Sequence, residues 1–146
     1  MNGSYQLIIA AALSFTAGML HIATIIGGAT WYRVLGAGEG MAKLAESGSV
    51  QPTLITSAIA AMLFVWGLYA LSGAGVIVKL PLLKLALILI TVIYLVRGIA
   101  GLILPFVSSH PAITQNSVTF WIISSVICSA FGIAHLLGVI NRWEQL

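Results

Sequence analysis

The chain has 146 residues, of which 60% are hydrophobic and only 6% are charged. Because soluble globular domains carry about 25% charged residues, this composition excludes a water-soluble fold, which needs polar groups over its surface. The formal net charge of +3 is too small and too scattered for the basic patch of a nucleic-acid-binding protein. One spanning helix uses roughly 20 apolar residues, so the chain has room for a single transmembrane domain and little else.

The hydrophobic runs predict an all-α integral membrane bundle of four transmembrane helices, at about residues 5–28, 53–78, 82–104 and 118–140. No lysine or arginine precedes the first run, as one would in the n-region of a cleavable signal peptide, so we interpret this run as a permanent helix. Pro52 stands at the start of the second span, where proline is tolerated. Pro105 ends the third span.

The only substantial loop of the predicted fold lies between the first and second spans. Its middle, Met41 to Glu46, predicts a short interfacial helix with a small apolar face. Trp31 and Tyr32, which precede this helix, match the aromatic belt found at membrane surfaces. We therefore expect this loop to lie against the membrane surface.

The distribution of lysine and arginine predicts the orientation of a membrane protein. Lys79, Lys84 and Arg142 flank one side of the predicted bundle, and Arg33 and Lys43 flank the other. This bias favours both termini in the cytoplasm and the first loop outside. The sequence thus predicts a multi-pass protein of the cell inner membrane.

Arg97 is the most informative polar residue within a span. A charge near the bilayer centre costs at least about 2.5–3.5 kcal/mol on translocon scales, and arginine does not lose its proton to escape that cost. Two interpretations remain open. Arg97 either snorkels towards the nearer surface, or it binds an anion such as a lipid phosphate or the carboxylate of Glu39.

His21 lies about four residues past the middle of the first span, the position that Arg97 has in the third. Since these spans run in the same direction, we expect His21 and Arg97 at similar depth. Ser14 and Gly18 share a helix face with His21, and such small residues favour close helix packing. His21 is therefore expected to face the interior, either as a structural histidine or as a group that binds a proton or ligand.

His135 lies in the fourth span on a face with Ser124, Cys128 and Gly132, and it is also expected to face inward. The fourth span runs opposite to the first, which places His135 and His21 about 14 Å apart along the membrane normal. Metal-ligand bonds are about 2 Å long, so these histidines do not suit one haem iron. The sequence assigns no cofactor.

Four residues form the predicted ligand-binding site at the outer leaflet: His21, Arg33, Glu39 and Arg97. If the first loop folds over the bundle, two arginines and one carboxylate leave one positive charge unpaired, which suits an anionic headgroup. We therefore expect a small binding or accessory protein that holds an anionic lipid, a small ligand or a partner membrane protein.

The alternative is a small proton-coupled transporter that acts as a homodimer, with His21 as its proton site. The four-span size is similar to that of the small multidrug resistance transporters, but in size alone, because those carry an essential glutamate in the first helix and this chain does not. A membrane enzyme or redox protein is the least favoured class. The sequence has no aspartate and no nucleophile or metal motif, so it predicts no catalytic residue and no metal site.

Overall fold

A computed structural model of the protein describes residues 2–35 and 37–146. Within these residues the chain forms helices and no strand. The helices, in chain order, are α1 (Gly3–Gly27), α2 (Ala29–Val34), α3 (Glu39–Glu46), α4 (Gln51–Ala74), α5 (Leu83–Val107), α6 (Pro111–Thr114) and α7 (Val118–Asn141). Of the described residues, those of α1, α4, α5 and α7 form helices long and apolar enough to cross a membrane. The prediction of an all-helical four-span membrane protein is confirmed.

The first loop contains the short helix that the sequence predicts. α3 begins at Glu39 and ends at Glu46, and its Ala42 is fully buried. α1 ends where Gly28 adopts a positive φ of 69°, a conformation that glycine adopts at little cost. The chain then turns directly into α2. The sequence predicts neither α2 nor α6, the short helix of the third loop. We call the end of the bundle that carries these short helices the loop end, and the opposite end, which carries both termini, the terminal end.

α4 ends at Ala74, earlier than the hydrophobic pattern indicates. Gly75 has a left-handed φ of 79°, and the Val76 N–H donates to the Leu71 carbonyl 3.0 Å away, which closes the helix. The Ser72 hydroxyl then donates to the Val78 carbonyl at 2.9 Å. Residues 75–78 are as apolar as a span but belong to the loop before α5, because the left-handed glycine and this serine turn the chain away.

α5 continues through Pro105 to Val107, whereas the sequence places the end of this span at residue 104. A proline removes its own N–H from the helix ladder, and its ring crowds the carbonyl four residues earlier. Within the last turn that loss is a single hydrogen bond, to the Gly101 carbonyl. The Ser108 N–H still donates to the Leu104 carbonyl at 2.9 Å and completes the turn.

The spanning helices pack in the order α1, α4, α5, α7 around the bundle, so α1 and α5 are diagonal to each other. The closest packing joins α1 to α4 and α5 to α7, which we call the α1–α4 pair and the α5–α7 pair. The contact between α1 and α7 is intermediate, and α4 contacts α5 less than the short predicted turn between them suggests.

Glycines allow the close approach within the α5–α7 pair. A Cβ atom added to Gly98 would lie 3.0 Å from the Ser129 backbone nitrogen and 3.2 Å from the Ser125 carbonyl oxygen. A Cβ on Gly132 would lie 2.6 Å from Leu95 Cδ2. In lipid, helices gain no hydrophobic free energy by associating, so the van der Waals packing that small residues permit holds them together.

Gly98→Ala is expected to lower the free energy of unfolding by about 1–3 kcal/mol, because the added methyl group meets backbone atoms of α7 that do not yield easily. Thermal unfolding in detergent measures this as a fall in Tm. Gly40→Ala is the matched control, since its nearest neighbour would be 3.8 Å from the new Cβ. Equal Tm values for the two variants would contradict the close-packing argument.

Candidate functional site

Arg33 holds the first loop together through both of its acidic neighbours. Its Nε and Nη2 donate to the two carboxylate oxygens of Glu39 at 2.8 Å each, and its Nη1 donates to Glu46 at 2.7 Å. The fork of the guanidinium therefore meets one carboxylate in bidentate fashion. We call these three residues the Arg33 clasp.

The Arg33 clasp is exposed, and the charge of its arginine is neutralised by ion pairs. Hydrogen bonds from Arg33 hold the pKa of Glu39 and of Glu46 below the usual glutamate value. Together with Lys43, the clasp residues add to a formal charge of zero. The unpaired positive charge that the sequence predicts at this end is therefore not at Arg33.

Arg97 is directed at α7. Its Nη1 donates to the Ser125 hydroxyl at 3.2 Å and its Nη2 to the Ser124 hydroxyl at 3.1 Å. Its guanidinium carbon lies 4.7 Å from the centre of the Trp121 ring, which is cation–π geometry. The Trp121 indole N–H donates to the Ile113 carbonyl at 2.9 Å, which holds the ring in place.

These partners of Arg97 are all neutral. A guanidinium has five N–H donors, and Arg97 uses one hydrogen bond on each of its terminal nitrogens. No carboxylate forms an ion pair with it among residues 2–35 and 37–146. Glu39, which the sequence offers as a partner, is bound to Arg33 instead.

His21 lies on the diagonal helix α1 and is half-buried. Its Nδ1 lies 2.7 Å from the Ala17 carbonyl oxygen of its own helix. The structure therefore joins Arg33 to Glu39 but places Arg97 and His21 in separate surroundings. The similar depth of His21 and Arg97 does not join them, because Arg97 bonds to the serines of α7 and the imidazole of His21 bonds to its own helix.

A polar group that the sequence did not single out lies in the bundle core. The hydroxyl of Tyr94 on α5 lies 3.1 Å from the Ser14 hydroxyl on α1. The Tyr94 ring lies 5.3 Å from the imidazole of His135 and 4.9 Å from the ring of Trp66, measured between centroids. The helical spacing indicates that His135 faces inward, but no sequence signal identifies Tyr94 as its neighbour.

Within the described part of the chain, no three histidine, cysteine, aspartate or glutamate side chains are grouped closely enough to hold a metal ion. No protein-family model, no curated protein and no solved structure matches this chain.

Acid is expected to open the Arg33 clasp. Because the pKa of Glu39 and of Glu46 is lowered in the folded protein, the ion pairs contribute fully above the ordinary value of 4.5 and are lost as the pH falls below it. A nitroxide label at Ser47, in a Cys128→Ser background, should become more mobile by electron paramagnetic resonance between about pH 7 and about pH 3.

The double variant Glu39→Gln, Glu46→Gln is the control for this titration. Its label should be mobile at neutral pH and should change little with acid, since no carboxylate remains in the clasp. A wild-type label that stays equally immobile across the whole range would contradict the assignment.

Proposed function

We propose that this protein is a binding or accessory protein of the inner membrane, with both termini in the cytoplasm, that holds an anionic lipid at Arg97. The observation that carries the proposal is the charge of Arg97. It lies inside a membrane-spanning helix, and its partners among the described residues are two hydroxyls and an indole ring.

A phosphate group suits the remaining donors of Arg97. Hydrogen bonds that involve a charged group are worth about 1.5–3 kcal/mol each, roughly twice the value of neutral ones. The planar fork of arginine matches the geometry of phosphate oxygens. An anionic headgroup therefore offsets the cost of a charge that the serines alone solvate only in part.

The surroundings of Arg97 favour a lipid over a soluble anion. Its neighbours Val96 and Ile99 on α5 are 59% and 57% exposed and form part of the lipid-facing surface. Trp121 lies in the first turn of α7, where an interfacial aromatic ring is typical. A lipid reaches this position from the bilayer, with its phosphate at Arg97 and its acyl chains along the outward faces of α5 and α7.

This proposal narrows the site that the sequence predicts. Arg97 binds the headgroup, with Trp121, Ser124 and Ser125 as its support. Arg33 and Glu39 close the first loop and do not contact the lipid phosphate. The homodimeric transporter with His21 as proton site stays a prediction, and the hydrogen bond that His21 forms within the described residues is to its own helix.

Arg97→Gln is expected to weaken binding of phosphatidylglycerol by about ten-fold or more, since at least one charge-assisted hydrogen bond is lost. Native mass spectrometry of the purified protein, titrated with phosphatidylglycerol or with phosphatidylcholine, measures the bound lipid. Wild-type Tm should rise with phosphatidylglycerol, and the Tm of the variant should not.

Lys79→Gln makes the same charge change on an exposed residue of the terminal end and serves as the matched control. It should retain wild-type binding. Equal loss in both variants would mean non-specific attraction, and unchanged binding by Arg97→Gln would refute the site. Inorganic phosphate distinguishes the source of the anion, because a full rise in Tm with phosphate alone would contradict a lipid ligand.

A further inference from the structure

Beside the buried Phe131 and Val139, the inward face of α7 carries a row of polar residues and glycines. Its members share a helix face and are all buried or half-buried; they are Ser124, Ser125, Cys128, Gly132, His135, Gly138 and, just beyond the helix, Arg142. We call this row the α7 seam. Its glycines and serines suit helix packing, but an ionisable residue inside a membrane is costly and indicates a functional position.

His135 is the titratable group in the middle of the α7 seam, and it is 0% exposed. Its Nδ1 lies 2.8 Å from the Phe131 carbonyl oxygen. A carbonyl oxygen only accepts, so Nδ1 carries the hydrogen and Nε2 carries the lone pair of a neutral imidazole. Among the residues that the structure describes, nothing donates to this buried Nε2.

An acceptor buried without a donor costs about 1–3 kcal/mol. A phenylalanine or leucine would fill a similar volume without that cost. Packing therefore does not explain why an imidazole occupies this position, whereas a free lone pair at Nε2 is the feature that a proton-binding group needs.

The groups that face His135 leave it without a charged partner. α5 contributes Tyr94, and the spanning helices contain no carboxylate. The hydroxyl of Tyr94 lies 3.1 Å from that of the neutral Ser14 on α1. On α4, Tyr69 packs against the apolar cluster that contains Tyr94, and its hydroxyl donates to the Pro81 carbonyl at 3.1 Å. Cys128 lies about two turns from His135 on α7.

Polar side chains lie on α7 on both sides of His135, nearer each end of the bundle, although none of them is hydrogen-bonded to His135. Towards the terminal end, the Asn141 amide donates to Gln6 at 2.7 Å, and Arg142 donates to the Ser4 hydroxyl. Towards the loop end, the α7 seam includes Ser124 and Ser125, the serines that bind Arg97. His135 is thus a base with a free lone pair that lies between two polar clusters, one towards each surface.

We propose that His135 is the proton-binding site of a proton-transfer path along the α7 seam. A proton from water binds the Nε2 lone pair and forms an imidazolium, while the Nδ1–H continues to donate its hydrogen bond to the Phe131 carbonyl. The same proton later leaves Nε2 to water on the other side. No electron moves and no other bond changes, so the step needs only water as donor and acceptor.

This geometry requires Nε2 to be reached from each side in turn, because Nδ1 is held by its own helix. The side-chain hydrogen bonds that join the α1–α4 pair to the α5–α7 pair, within the described residues, are Ser14–Tyr94, Gln6–Asn141 and Ser4–Arg142. They lie at mid-bundle and at the terminal end. Separation of the pairs at the loop end breaks none of them, whereas access from the terminal end requires Gln6–Asn141 and Ser4–Arg142 to open.

Proton flux into proteoliposomes tests this proposal. The vesicles consist of phosphatidylcholine alone, so the result does not depend on anionic lipid at Arg97, and they enclose the pH-sensitive dye pyranine. A potassium gradient with valinomycin drives protons inward. Wild-type protein should acidify the lumen faster than protein-free vesicles, and His135→Gln should lower the added rate by at least about 10²-fold, the lower range for loss of a general acid–base group.

Control variants separate this role from folding and from the other histidines. His110→Gln changes a residue of the third loop and should keep the wild-type rate, and Tyr94→Phe, which removes the hydroxyl beside Ser14, should lower it. Circular dichroism establishes that each variant folds. A wild-type rate equal to that of protein-free vesicles would overturn the proposal, as would retention of flux by folded His135→Gln or its loss in His21→Gln alone.

Discussion

The close contact between α5 and α7 is the constraint on which the polar interior depends. Gly98 and Gly132 let the backbones approach to a distance that any larger side chain forbids. Only at this separation does Arg97 reach the serines of α7 and does Tyr94 lie against His135. In lipid, where apolar surface gains little by leaving its solvent, such tight packing is a main source of helix association.

The two arginines in the loop half of the protein, Arg33 and Arg97, differ in their surroundings. Arg33 lies among exposed side chains and is neutralised by Glu39 and Glu46. Arg97 lies in a spanning helix, where a charge costs far more than at the surface, and its partners are neutral. An identical side chain thus closes a loop in one position and is available to an anion in the other.

The extent of each span could be predicted because hydrophobicity and length are properties of the segment alone. The errors lie at Gly75 and Pro105, where the local backbone decides the end of a helix and hydropathy does not. The inward face of α7 could also be predicted, since helical spacing places Gly132 and His135 on one side. The pairing of Arg33 with Glu39 could not be predicted from the sequence alone, because it depends on how the first loop folds back.

The sequence by itself determined that this protein spans a membrane as a helical bundle and which residues carry its scarce charges. Only the tertiary structure decided which helix faces which. His21 and Arg97 lie at comparable depth, but Arg97 bonds to α7 and His21 to its own helix, whereas Tyr94 and His135 meet because α5 packs on α7. The physical reason is that depth follows from counting residues within one helix, while lateral order depends on how the faces of several helices fit together.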